Sequence, residues 1–174
     1  MILILCSLAI FLAGGLLALL PGRPAKVTSA IGAGSAVVAS VVGLVGMFFA
    51  DGQTASLDWG GFGKATLGFD TLSGVFLFPV LVLVAVGAVY GVEYLKSYQK
   101  PLGPHWFFYN ALAASMVGVL IARDALSFLV AWEVMALASF FLVTFENEKA
   151  SVREAGWIYL VATHFASQIG RAHV

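Results

Sequence analysis

The chain has 174 residues, of which 61% are hydrophobic and only 10% charged, and its nine acidic and nine basic side chains cancel. With a mean hydropathy of +0.99 it lacks the charged surface that a water-soluble domain of this length needs, so a lipid bilayer is the expected surrounding. The balanced charge and the lack of a basic cluster argue against a nucleic-acid partner.

Crossing a bilayer takes ~20 mostly apolar residues at ~1.5 Å rise each. On that scale the sequence predicts an all-α, polytopic transmembrane bundle over residues 1–167. Its six spans run at about 2–20, 27–49, 71–92, 105–122, 125–143 and 154–167. The first, MILILCSLAIFLAGGLLALL, has no basic residue ahead of it and has Arg23 and Lys26 behind it. A cleaved signal peptide carries its basic residues first, so a retained helix is expected. Cys6, the single cysteine, has no intrachain disulfide partner and reads as a small core residue. In the second span Gly32, Ala36, Ser40 and Gly43 form a stripe of small residues, the usual mark of a close helix contact in lipid.

Residues 51–70, DGQTASLDWGGFGKATLGFD, form the longest polar interruption, and their glycines and interleaved polar and apolar positions predict an extramembrane loop or hairpin. No nucleophile and base stand together there to suggest a catalytic loop. Asp70 directly precedes Thr71-Leu72-Ser73 and is expected to cap the third helix. Pro79, mid-span, removes one backbone donor and is expected to kink that helix, a defect that neighbouring helices absorb. The fourth span has a second small-residue stripe, Ala111, Ala114, Ser115, Gly118 and Ala122. Arg123 and Asp124 follow, read as a tight turn with an interfacial ion pair.

Glu133 stands alone in the fifth apolar run, ALSFLVAWEVMALASFFLV. An ionisable group at the centre of a membrane helix costs roughly 2.5–3.5 kcal/mol on insertion scales, and such groups usually face a partner, a cavity or an ion path. A carboxyl away from water favours its neutral form, and a buried cation beside it favours the charged one. A group switched between these states by a neighbour is what proton loading requires. The bland alternative is a neutral Glu133 hydrogen-bonded to an adjacent helix. His164, in the sixth span, has an imidazole able to pass protons near neutral pH and is the second candidate proton-transfer residue, with a packing role as its alternative.

Loop charges set an orientation. Arg23, Lys26, Lys96, Lys100, Lys149 and Arg153 share one side, while Lys64 and Arg123 stand beside Asp51, Asp58, Asp70 and Asp124 on the other. The positive-inside rule makes the first side cytoplasmic and leaves the N-terminus outside.

The stretch from Asn110 to Ser167, with ARDALSFLVAWEVMALASFFLVTFENE followed by REAGWIYLVATHFAS, resembles the proton-translocating membrane subunits of respiratory complex I, Mrp-type cation/proton antiporters and membrane-bound hydrogenases. It is most similar in wording to the hydrogenase-4 component B and formate hydrogenlyase branch. FDTLSGVF is similar to the family's entry to its third helix. The resemblance implies that Glu133 is the fifth-helix carboxylate that pairs with a lysine on a later, broken helix, within a fold of two inverted repeats. It also implies a subunit with no redox cofactor of its own in a bacterial-type inner membrane. Its partners would be other membrane subunits and a peripheral redox or hydrogenase arm. The chain has no cysteine cluster, haem signature or nucleotide-binding glycine motif.

The broken helix and the second repeat are not in the sequence, so the chain by itself is not expected to pump. QIGRAHV, residues 168–174, looks like a translated sequencing adapter, which makes the tail an expected artefact and the chain an N-terminal fragment; a natural stop codon after Val174 would contradict this. Two other readings remain at this point: an Mrp-type antiporter subunit exchanging sodium for protons, and a non-pumping membrane anchor in which Glu133 serves packing.

Overall fold

The computed structural model describes residues 1–58, 64–98 and 100–171, with their side chains except at 57 and 164–171. Six helices dominate: α1 (Ile2–Ala18), α2 (Ala25–Met47), α3 (Thr71–Tyr94), α4 (Gly103–Ile121), α5 (Ala125–Val143) and α6 (Ala150–Arg171). The six expected helices are present, α5 at its expected bounds. By length and apolarity, α2, α3, α4 and α5 are able to cross a membrane. α1 is apolar but has 17 residues, and the 22 residues of α6 include Arg153, Glu154 and Arg171. α3 runs through Pro79 as one helix.

The polar segment between α2 and α3 is a hairpin, as its composition predicts. Strands β1 (Thr54–Asp58) and β2 (Lys64–Gly68) pair antiparallel with Thr54 opposite Gly68 and Asp58 opposite Lys64. Gly52, at φ +70°, makes the turn into β1 in a backbone region that side chains disfavour. Its N–H donates to the Phe69 carbonyl at 3.0 Å. The N-terminal ammonium donates to the Gln53 side chain, so α1 begins at the hairpin end of the bundle.

α1 to α4 form the core, where Ile4, Phe11, Leu77, Leu81, Trp106, Val117 and Ile121 are fully buried. Lipid offers helices no hydrophobic drive to associate, so close approach of small residues supplies the contact. Both predicted stripes do this. Gly32, Ala36, Ser40 and Gly43 are all buried in α2, and a methyl group at Gly43 would come within 2.8 Å of Leu81. In α4, Ala111, Ala114 and Ser115 are buried and Gly118 meets the Ala131 methyl of α5. The outer faces carry Val75, Phe78, Leu83, Val86 and Val89 exposed, a liability in water and an ordinary surface in lipid. Cys6 is among the exposed residues, contrary to its expected core role. Ile4, Ser7, Phe11 and Gly14 take the inner face of α1, and helical spacing turns Cys6 outward.

The two ends of the bundle differ in charge as the sequence predicts. At one end the α1–α2 and α3–α4 connections meet, and Lys100 Nζ reaches across to Glu148 Oε1 and the Phe145 carbonyl, both at 3.1 Å. Arg23 and Lys96 lie on these connections, Lys26 in the first turn of α2, Lys149 just before α6 and Arg153 at its start.

At the other end the hairpin is locked to the α4–α5 turn. Asp124 caps α5 by accepting from Ser127 N–H at 2.8 Å, and its second oxygen accepts from Thr66 N–H of β2 at 2.7 Å. With both Asp124 oxygens engaged, the ion pair of Arg123 forms with Asp70, at 3.0 Å. Asp70 also caps α3 through Ser73 N–H at 2.7 Å, the predicted role.

These backbone donors hold both carboxyls below their ordinary value of 3.8: Ser127 and then Thr66 for Asp124, and Ser73 with added help from the Arg123 charge for Asp70. A depressed carboxyl stabilises the folded state above its unfolded value, and that contribution disappears as pH falls through its folded value. Hydrogen-exchange protection at the Thr66 and Ser127 amides is therefore expected to fall below about pH 4. Asp124→Asn should remove most of that pH dependence. Undiminished protection in acid would contradict the lock.

Candidate functional site

Glu133 sits in the middle of α5. At ~1.5 Å per residue it lies about 12 Å from the start of the helix and about 15 Å from its end, beyond the reach of its short side chain to either interface. It is half-buried. α5 leans on α4 along one side, where Phe141 stacks on Phe108 with ring centroids 4.3 Å apart and Ala131 faces Gly118. On another side it meets α6: a methyl group at Gly156 would fall 2.3 Å from Thr144 Cγ2 and 3.4 Å from Phe140 Cε2. Glu133, Phe140 and Thr144 recur at spacings of seven and four and so share a face of α5, which meets α6 at its Phe140 and Thr144 end. The second predicted residue, His164, belongs to α6, but its side chain lies outside the described residues.

A cavity of about 410 Å³ opens between α4, α5 and α6 at the Lys/Arg-rich end. It is walled by Phe108, Phe140 and Phe141, with His105, Thr144 and Arg153 supplying polar atoms. His105 lies edge-on to Trp106 and Phe145, and its Nδ1 is buried without a hydrogen-bond partner among the described residues. The cavity thus reaches the α5 face that bears Glu133, two helical turns short of the carboxylate.

Two polar side chains of α4 escaped the sequence reading. His105 was passed over as the start of a span. Asn110, fully buried in α4, ties that helix to α2: its Nδ2 donates to the Gly32 and Trp106 carbonyls at 3.0 and 2.9 Å, and its Oδ1 accepts from Ser35 Oγ at 3.2 Å. Trp106 Nε1 donates to Ser29 Oγ at 3.1 Å beside it. The cost rule that singled out Glu133 applies to a buried amide as well and would have found Asn110. Every hydrogen bond of the Asn110 amide goes to a group of α2 or α4, so it reads as a packing knot. No group of His, Cys, Asp and Glu among the described residues is arranged to hold a metal ion.

No protein family profile matches the chain. Two curated proteins are similar to it: hydrogenase-4 component B of Escherichia coli (strain K12) is 36% identical over 107 residues, and NADH-ubiquinone oxidoreductase chain 5 of Podospora anserina is 26% identical over 103. These matches take in 61% and 59% of this chain and 16% and 15% of those proteins, so the chain spans under a fifth of their length. Among solved structures, a chain of the membrane-bound sulfane sulfur reductase, an archaeal respiratory membrane complex, superposes with a TM-score of 0.65 at 26% identity, covering 79% of this chain and 22% of that one. Sequence and fold likeness agree with the resemblance drawn from the residues: the chain is homologous to the complex I and Mrp-like membrane subunits of respiratory and hydrogenase complexes.

Proposed function

We propose that this chain forms part of a membrane subunit that moves protons across a bacterial-type inner membrane, coupled to redox chemistry in partner subunits, with Glu133 as its proton-loading carboxylate. The observation that carries this reading is the position of Glu133: mid-span, half-buried and on the α5 face that meets α6 at Phe140 and Thr144. Structural carboxylates in membrane helices sit near the ends, where water solvates them cheaply, and one at this depth needs a use to offset its insertion cost. The cavity at the Lys/Arg-rich end supports the same reading, because it brings water-accessible space to Phe140 and Thr144 on the face of Glu133. α6 runs antiparallel to α5 from the contact at Gly156, and eight residues at ~1.5 Å carry it about 12 Å back. That would bring position 164 to within about 5 Å of the depth of Glu133, which supports His164 as the proposed next carrier. The Lys/Arg-rich end is the proposed cytoplasmic side, with the N-terminus outside.

An apolar carbodiimide condenses with protonated carboxyls buried in lipid, and its use on everted vesicles carrying the assembled complex tests the proposal. It is expected to modify Glu133 and to stop acidification of the vesicle lumen in proportion to the labelling, with or without sodium. Acidification that persists once Glu133 is fully modified would favour the membrane-anchor reading. Acidification that requires sodium would favour the antiporter.

A further inference from the structure

The Lys/Arg-rich end carries a second hollow, unconnected with Glu133. It lies between α2 and α3, measures about 380 Å³, and has an apolar floor of Val92, Leu95 and Leu102. Lys26, in the first turn of α2, and Lys96, just past the end of α3, both line it and are both exposed. Lys26 forms no ion pair among the described residues. Lys96 touches Glu93 at 2.5 Å, an exposed pair of the kind that contributes little and yields readily to a better anion. Deeper in, Ser29 Oγ accepts from Trp106 Nε1, which leaves its own proton to donate into the hollow. Exposed Val89, one turn from Val92, continues the apolar floor along the outer face of α3 toward mid-membrane.

From this arrangement we infer an anionic phospholipid site: the phosphate sits between Lys26 and Lys96 with a hydrogen bond from Ser29, and an acyl chain lies over Leu95, Val92 and Val89. The charge pattern selects the occupant. Two cations at the lip of an apolar crevice, at the level where α2 begins and α3 ends, match a molecule with its negative charge at the interface and its hydrocarbon below. A soluble anion would leave the apolar floor uncovered, and a neutral lipid would leave both lysines unanswered. The inference stands whether or not the chain takes part in proton transport.

The test is to reconstitute the chain in phosphatidylcholine nanodiscs, titrate in phosphatidylglycerol and count bound lipid by native mass spectrometry. Phosphatidylglycerol is expected to be retained over phosphatidylcholine. Lys26→Gln and Lys96→Gln should each weaken it about fivefold, and the double variant about thirtyfold, from the usual attraction of one lysine for an anionic lipid. Lys149→Gln, on the same end but outside the crevice, should change binding by less than about twofold, which separates a site from diffuse surface charge. Circular dichroism checks that the variants remain folded; both lysines are exposed, so they should. An equal loss in Lys149→Gln, no preference for phosphatidylglycerol, or displacement by inorganic phosphate would each overturn the inference.

Discussion

Gly32→Leu is expected to prevent the bundle from closing. A methyl group alone at this position would lie 2.4 Å from both Cβ and Cγ of Trp106, and Trp106 has nowhere to retreat: it is fully buried and its indole N–H is held by Ser29. The Gly32 carbonyl also accepts from Asn110 Nδ2 and Ser35 Oγ, so pushing α2 away from α4 breaks the knot that joins them. Overpacking a tight contact costs about 1–3 kcal/mol and more where the backbone cannot shift. The lost interhelical bonds add to that, at about 0.6 kcal/mol each on average in membranes. A destabilisation of about 3 kcal/mol or more follows, readable as lost folded yield and a lower detergent-unfolding midpoint. Gly34 is the control. It lies two residues away on the exposed face of α2 with nothing near its missing Cβ, so Gly34→Leu should be tolerated. Equal behaviour of the two variants would contradict this account of the α2–α4 contact.

The helices themselves were legible because apolar runs of about twenty residues leave few alternatives, and the Asp70 cap was legible because aspartate before a helix has one common use. Asp70 fulfils it, whereas Asp124, expected to pair with Arg123, caps α5 instead. The hairpin followed from its glycines and alternation. What the sequence could not supply was lateral: which face of each helix turns inward depends on neighbours distant in the chain. Cys6 was misplaced for that reason. The partner of Arg123 was hidden for a related one, since the adjacent Asp124 is claimed by a strand 58 residues earlier. Nor does span length distinguish core from periphery. α5 is as apolar as its neighbours, yet buries only Ser127, Ala136 and Ala138, while α4 buries residues along its whole length. The helix that bears Glu133 is therefore more loosely covered than α4. Its exposed Phe128, Val130, Trp132, Val134 and Leu137 leave room for further helices beside the carboxylate.

Glu133→Gln isolates the chemistry from the packing. Glutamine keeps the volume and the hydrogen-bonding reach of a protonated glutamate but neither releases nor takes a proton at any working pH. A helix that needed Glu133 only for contact should accept the exchange, whereas a relay should slow by about a hundredfold or more, the usual loss when a positioned proton carrier is removed. Glu133→Asp restores a carboxyl one methylene short and should recover part of the rate, which no packing role explains. The decisive measurement is the number of protons moved per electron in sealed vesicles holding the assembled complex, with co-purification of the partner subunits as the check on assembly. Proton loading at Glu133 predicts that Glu133→Gln assembles normally and loses proton movement, with partial return in Glu133→Asp. An unchanged proton-to-electron ratio in a fully assembled Glu133→Gln complex would contradict it.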